Sequence, residues 1–162
     1  MFSVSVVWSE DPCSSPDYLE RTAEDHFGDG WSHVAEEDKA RVIEEQGSIW
    51  RACERYAQED AERLSGFRAG RWCFQSCRAI AEVRYEISPG TFRIEHLSSP
   101  GLSGIESDSD EPYMREVEVE QLAELSHHLE RFGVAGALLD ELDALVSRKI
   151  PQVEGWAYID VP

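Results

Sequence analysis

The acidic loop at residues 104–111, with the sequence GIESDSDE, contains the side chains best suited to metal chemistry. Hard divalent cations prefer several oxygen ligands, and the carboxylates of Glu106, Asp108 and Asp110 could supply them. The EF-hand pattern, however, needs a glycine at its sixth position and a distant glutamate, and this loop does not fit it. A divalent-metal-dependent hydrolase that uses these three carboxylates is therefore our alternative function.

The same loop allows two interpretations without metal. Acidic residues flank Ser107 and Ser109, as in many phosphoacceptor sites. Short Ser and Asp side chains also bind backbone amides of their own loop and cap the helix that follows. We favour capping, by Ser109 or Asp110, because a helical pattern begins directly after the loop.

No other arrangement in the chain matches a known catalytic signature. The five histidines do not form H-E-x-x-H or a comparable ligand spacing, and there is no G-x-S-x-G elbow or phosphate-binding P-loop. We therefore assign no catalytic residue, no resident metal and no cofactor. The histidines are His26, His33, His96, His127 and His128.

Charge is the strongest compositional signal, with a formal net charge of −18 at pH 7. Residues 9–62 contain 16 acids and 5 bases, whereas residues 63–93 contain 6 arginines and 2 acids. Such an acidic surface repels bare nucleic acid and attracts a basic protein. Rows of acids on helices could also imitate DNA phosphates, although arginines interrupt the rows. Our candidate binding residues are Glu36, Glu37, Glu44, Glu45, Glu106, Asp108 and Asp110.

The elements that position these residues follow from hydrophobic periodicity. Apolar residues at helical spacing predict a helix from the acidic loop to Phe132, which Gly133 ends. Similar patterns predict helices over 32–46, capped by Ser32 with Ala35, Val42 and Ile43 toward the core, and from Ser48 to Gly66. A last helix is expected from Ala135 to Ile150, followed by a terminal strand or tail that contains Trp156, Tyr158 and Ile159.

Strands are predicted at the start of the chain and in its middle. Phe2 to Trp8 reads as a first strand, and residues 71–87 alternate with period two. Pro89-Gly90 is typical of a hairpin turn, so residues 91–97 should return antiparallel, with Val83, Tyr85 and Ile87 facing helices. We expect a single α+β domain over residues 1–162, with a small, mostly antiparallel sheet and helices packed on one face.

Three segments carry a resemblance to a known group of proteins. They are PGLSGIESDSDEPYMREVEVEQLAEL at residues 100–125, SPDYLE at Ser15–Glu20 and HLERFGV at His128–Val134. These segments resemble a family of small proteins encoded by phages, prophages and bacterial chromosomes. This chain has Ser103 where that family's box has a tryptophan. The resemblance implies shared origin and fold and transfers no catalytic residues.

Together these features favour a non-enzymatic acidic protein that acts by binding another protein. The expected partner is a basic protein of the bacterial host, and one form of the function is inhibition of a nucleic-acid-handling or defence protein by nucleic-acid mimicry. We expect no direct contact with nucleic acid, because the acidic surface repels phosphates. We also expect no membrane anchor, because the amino terminus lacks a basic region and a long apolar run. Cys73 and Cys77 would lie too far apart in a strand for a disulfide, and the absence of a C-x-x-C pair argues against a zinc site. We therefore expect reduced cysteines and a cytoplasmic location.

Overall fold

A computed structural model of the chain describes residues 2–134, 136, 142 and 146–149. The fold is α+β, as the sequence predicts, with a sheet that is mostly antiparallel. Contacts divide the chain into two compact units, which are described separately. One unit is formed by the residues up to Ser14 and those from Cys73 on, and the other is Ser15–Trp72.

The first unit contains a sheet in which the described strands have the order β3-β2-β1-β5, with β4 also paired to β2. The contacts of β2 with β1, β3 and β4 are antiparallel, and β5 runs parallel to β1. The strands are β1 (Phe2–Glu10), β2 (Phe74–Ser88), β3 (Thr91–Ser98), β4 (Leu102–Glu106) and β5 (Val146–Lys149).

The predicted hairpin is confirmed, with β2 and β3 pairing across the Pro89-Gly90 turn. Val83 is buried and Tyr85 packs edge-to-face on Phe132, with ring centroids 5.6 Å apart. The expectation for Ile87 was wrong, because its side chain is 58% exposed. Among the described residues, β1 pairs with β2 as far as Val83, and from Arg84 to the turn β2 pairs with β3.

The long helix α4 (Glu111–Phe132) begins and ends as predicted. Its C-cap, Gly133, has a φ of +99°, a left-handed conformation that glycine adopts without strain. The helical spacing of apolar residues puts them on one face of α4, and the alternation in β2 puts its apolar residues on one face of the sheet. These two faces pack together. The core members from α4 are Val117, Leu122, Leu125 and Leu129, and those from β1 and β2 are Val4, Val6, Trp8, Cys77, Ala79, Ala81 and Val83.

The helix expected at Ala135–Ile150 is wrong at its end. Val146–Lys149 forms β5, which pairs with the edge of β1 in the register Val4 to Val146. Gly136 and Leu142 are helical, and Leu142 is buried in the core. The other residues of that predicted helix, and the terminal strand expected at Trp156, Tyr158 and Ile159, lie outside the described residues.

The second unit consists of helices. A short 3-10 turn (Asp17–Leu19) precedes α1 (Ala23–Gly30), α2 (Glu36–Gln46) and α3 (Ile49–Arg68). The predicted cap of α3 is confirmed, since the Ser48 hydroxyl accepts the amide of Arg51 at 3.2 Å. His26 of α1 and Asp60 of α3 form a 2.8 Å hydrogen bond, which joins the two helices.

The prediction for α2 needs two corrections. The helix starts at Glu36 instead of Ser32, because α1 continues through Gly30 and Ser32 lies in the turn that follows. The N-cap position is held by Ala35, which has no side-chain oxygen to offer. None of the described side chains of α2 is buried, and Ile43, expected in the core, is 45% exposed.

Candidate functional site

The acidic loop forms hydrogen bonds with backbone groups of α4, of Cys73 and of the loop itself. Asp110 is the N-cap of α4, and its Oδ1 accepts the amide of Tyr113 at 2.8 Å. Ser107 bonds to Cys73 in both directions: its amide donates to the Cys73 carbonyl at 2.9 Å, and its hydroxyl accepts the Cys73 amide at 3.0 Å. The capping hypothesis is therefore confirmed for Asp110, while the Ser109 amide donates to the Glu106 carbonyl at 3.0 Å.

The carboxylates of this loop do not form a metal site in the structure. Glu106 is the last residue of β4, Asp108 is exposed in the turn, and Asp110 is held at the helix cap. Within the part of the chain that the structure describes, no three His, Cys, Asp or Glu side chains are grouped so that they could hold a metal ion.

The residues that precede β4 are hydrogen-bonded to β2 and to α4. The Gln121 amide oxygen accepts the Ser99 hydroxyl at 2.7 Å and the Gly101 amide at 3.0 Å, and the Ser99 hydroxyl in turn accepts the amide of Ala79. Gly101 has a φ of +88°, and an added Cβ would lie 3.1 Å from Nε of Arg78. These hydrogen bonds satisfy the polar side chains of Ser99 and Gln121, which are both buried.

Asp11 adds a further link to the same loop. Its carboxylate accepts the Ser14 hydroxyl at 2.6 Å, the Cys13 amide at 3.0 Å and the Gly104 amide at 3.0 Å. These donors, of which the Ser14 hydroxyl has the largest effect, lower the pKa of Asp11 below its usual value of 3.8. The three hydrogen-bond donors stabilise the ionised carboxylate relative to the protonated acid.

A buried carboxylate in the core was missed by the sequence analysis. Glu118 is 2% exposed, and it accepts the indole N–H of Trp8 at 3.0 Å and Arg115 at 3.3 Å. Burial, and next the Glu118 charge, raise the pKa of the Cys77 thiol to about 12, so this thiol stays neutral. The sequence contained a sign of this burial, because Glu118 lies four residues before Leu122 and therefore on the apolar stripe of α4.

The four candidate glutamates of α2 are all exposed on one helix. Glu37 and Glu44 lie on the same face, since seven residues make almost two turns, and Glu36 and Glu45 flank them. Glu36 pairs with Lys39 at 2.6 Å, so part of this charge is neutralised. The glutamates of α2 belong to a different unit from the loop carboxylates, so the candidate binding residues form two sets.

The two ends of α2 differ in how well they suit negative charge. Glu36 and Glu37 lie in the first turn, where carboxylates stabilise the positive end of the helix dipole. Glu44 and Glu45 lie at the opposite, negative end, and the last turn contains no basic residue. Among the described residues neither has an ion-pair partner. Two like charges therefore stand at a helix end that disfavours them.

An exposed aromatic pair lies in the same unit. Trp50 of α3 is 40% exposed, although it lies on the apolar stripe of its helix sequence, and Phe27 of α1 is 50% exposed. Their rings meet edge-to-face with centroids 5.8 Å apart. The indole N–H of Trp50 donates to Glu54 at 2.9 Å, which places a carboxylate beside the rings. Large exposed apolar side chains with a polar rim are typical of protein-binding sites.

No protein-family model, curated protein sequence or solved structure matches this chain. No helix among the described residues combines the length and apolar character needed to cross a membrane. All four cysteines, Cys13, Cys53, Cys73 and Cys77, are free thiols.

Proposed function

We propose that this protein binds another protein through the acidic face of α2, defined by Glu36, Glu37, Glu44 and Glu45, and that it catalyses no reaction. The observation that carries the proposal is the pair Glu44 and Glu45, which stands unpaired among the described residues at the negative end of a helix with no buried side chain. Folding gains nothing from these charges there. Local rules of stability are most often broken where function needs it.

The partner that this chemistry fits is a basic protein. A negative surface is attracted to positive charge and raises the association rate, whereas nucleic acid and anionic membranes are repelled. The resemblance to phage and prophage proteins directs the proposal to a nucleic-acid-handling or defence protein of a bacterial host, in the cytoplasm. The protein could inhibit such a partner by nucleic-acid mimicry, in which the carboxylates of α2 take the place of phosphates.

The aromatic pair Phe27 and Trp50 supplies a site for apolar contact in the same unit. Acids alone give steering and weak, salt-screened binding, because exposed ion pairs contribute little. Large aromatic side chains dominate the binding energy of most interfaces. A basic partner with an apolar or arginine side chain could therefore contact the rings of Trp50, whose face is suited to cations.

The alternative of a metal-dependent hydrolase has no observation in its favour. Asp110, one of its three proposed ligands, is engaged in capping α4 through the amide of Tyr113. Glu106 lies at the end of a strand. For this reason the binding function is the one we propose.

The proposal can be tested with two double variants that remove the same charge. The protein is used as bait in a bacterial lysate, the captured partner is identified and purified, and affinities are then measured with Glu44→Gln/Glu45→Gln and with the control Glu116→Gln/Glu120→Gln. The control glutamates are exposed on α4, in the other unit. We expect binding to weaken about three- to tenfold in the α2 variant, and in the wild type with added salt.

Two results would contradict this function. One is a partner whose affinity is reduced equally by the control variant, because the effect would then be one of net charge. The other is an interface that maps to Arg78 and Arg84 on β2 and does not respond to salt, which would place the binding surface elsewhere.

A further inference from the structure

Strand β3 is an open edge of the sheet among the described strands. It has β2 on one side and lies at the end of the strand order. An edge presents unpaired backbone groups, and proteins usually protect it by a short strand, lysine, proline or a bulge. β3 has eight residues without lysine or proline, and the irregularity in its pairing lies beside the turn, between Glu86 and Ser88.

The side chains of this edge are arranged on two faces. Phe92 and Ile94 share one face and are 50% and 49% exposed, which is high for large apolar residues in a strand. Arg93 and Glu95 share the other face, where they form an ion pair with 2.7 Å between Nε and Oε1. The exposed stretch thus contains apolar residues on one face and opposite charges on the other.

We propose that two copies of the chain associate through β3, antiparallel and centred on Ile94. In this register Ile94 faces Ile94 of the second copy, and Phe92 faces its His96. Arg93 lies opposite Glu95 of the second copy, and the symmetry repeats this pair. Opposite charges in facing positions stabilise antiparallel strands, and the two-fold axis makes both contacts at once.

The charges also select this register against its neighbours. Centring the pairing on Arg93 would set two arginines opposite each other, and centring it on Glu95 would do the same with two glutamates. Facing like charges are destabilising. Charged residues on an edge normally prevent pairing, but the order of signs in β3 makes them complementary to a second, antiparallel copy.

Helix α4 leaves room for this arrangement. It packs on the sheet face that contains Val83 and Tyr85 of β2. In the dimer the two β2 strands would lie three strand spacings apart, or about 14 Å. Packed helices need about 8–10 Å between their axes, so helices lying above the two β2 strands would fit side by side. The net charge of −18 per copy opposes association, so the measurement belongs at physiological salt, where the Debye length is about 8 Å.

The test is sedimentation equilibrium of the full chain over a concentration series. We expect a reversible dimer in the wild type, and dissociation constants at least about fivefold higher in Arg93→Glu and in Glu95→Arg, because each creates two like-charge contacts. The double variant Arg93→Glu/Glu95→Arg restores both pairs and should dimerise like the wild type. Ile94→Lys places two lysines at the two-fold axis and should abolish dimerisation. Circular dichroism checks that each variant remains folded.

A wild type that remains monomeric at several hundred micromolar would overturn the proposal. So would a dimer that both single reversals leave unchanged, or a double variant that is no better than the single ones. These outcomes are independent of the acidic face of α2, because that face and β3 belong to different units.

Discussion

Neutralising the glutamates at the two ends of α2 should change the stability of this helix in opposite directions. The variants are Glu36→Gln/Glu37→Gln in the first turn and Glu44→Gln/Glu45→Gln near the end. Glutamine has nearly the helix propensity of glutamate, so the comparison isolates charge. Each double variant removes two negative charges, and net charge is therefore matched.

The expected magnitudes follow from the helix dipole and the local ion pairs. At the start, two favourable dipole interactions and the Glu36–Lys39 pair are lost, which lowers the free energy of helix opening by about 1–2 kcal/mol. At the end, two unfavourable interactions are removed and some attraction to Arg41 is lost, so the free energy rises by about 0.5–1 kcal/mol. Ala35 cannot compensate at the start, because it offers no capping oxygen.

Native-state amide hydrogen exchange is the suitable assay. With no described side chain of α2 buried, the helix can open locally without global unfolding, and a melting curve would miss the effect. The amides of Lys39 and Gly47, bonded to the carbonyls of Ala35 and Ile43, report on the two ends. If both variants change protection in the same direction at low salt, the dipole argument is refuted, and with it the main support for a binding role of Glu44 and Glu45.

Three further predictions concern the first unit. Replacing Asp110 with alanine should lower the free energy of unfolding by about 0.5–2 kcal/mol in a denaturant titration, because the N-cap of α4 is lost. If the melting temperature of the wild type instead rises strongly with added Ca²⁺ or Mg²⁺, the metal interpretation is favoured. Glu118→Ala should cost about 1–3 kcal/mol and alter the fluorescence of Trp8, because a buried indole N–H loses its acceptor, whereas Glu118→Gln should cost less. Because the pKa of Asp11 is lowered, its carboxylate stabilises the fold above pH 3.8 and loses this effect as pH falls through the folded-state pKa. The difference in unfolding free energy between wild type and Asp11→Asn should therefore shrink in that range. A difference that grows with acid would contradict the Ser14 hydrogen bond as the cause of the lowered pKa.

The contacts of the acidic loop show which structural features can be predicted from neighbouring residues. The cap, the end of α4 at Gly133 and the hairpin turn were all predictable, because each depends on neighbours within a few residues. The partners of Ser107 and Gly104, namely Cys73 and Asp11, lie far away in the chain and were not predictable. The single domain expected from chain length stays a prediction.

Periodicity and composition alone determined that this protein is α+β, that α4 packs one face on a sheet and that residues 9–62 are strongly acidic. Only the tertiary structure decided which of those features are buried. Glu118 entered the core because Trp8 offers it a donor, and Val146–Lys149 became a strand because β1 had a free edge. Ile43 and Trp50 remained exposed although their spacing is that of core residues. Spacing places a side chain on a face, but whether that face is covered depends on segments distant in sequence, and no local pattern carries that information.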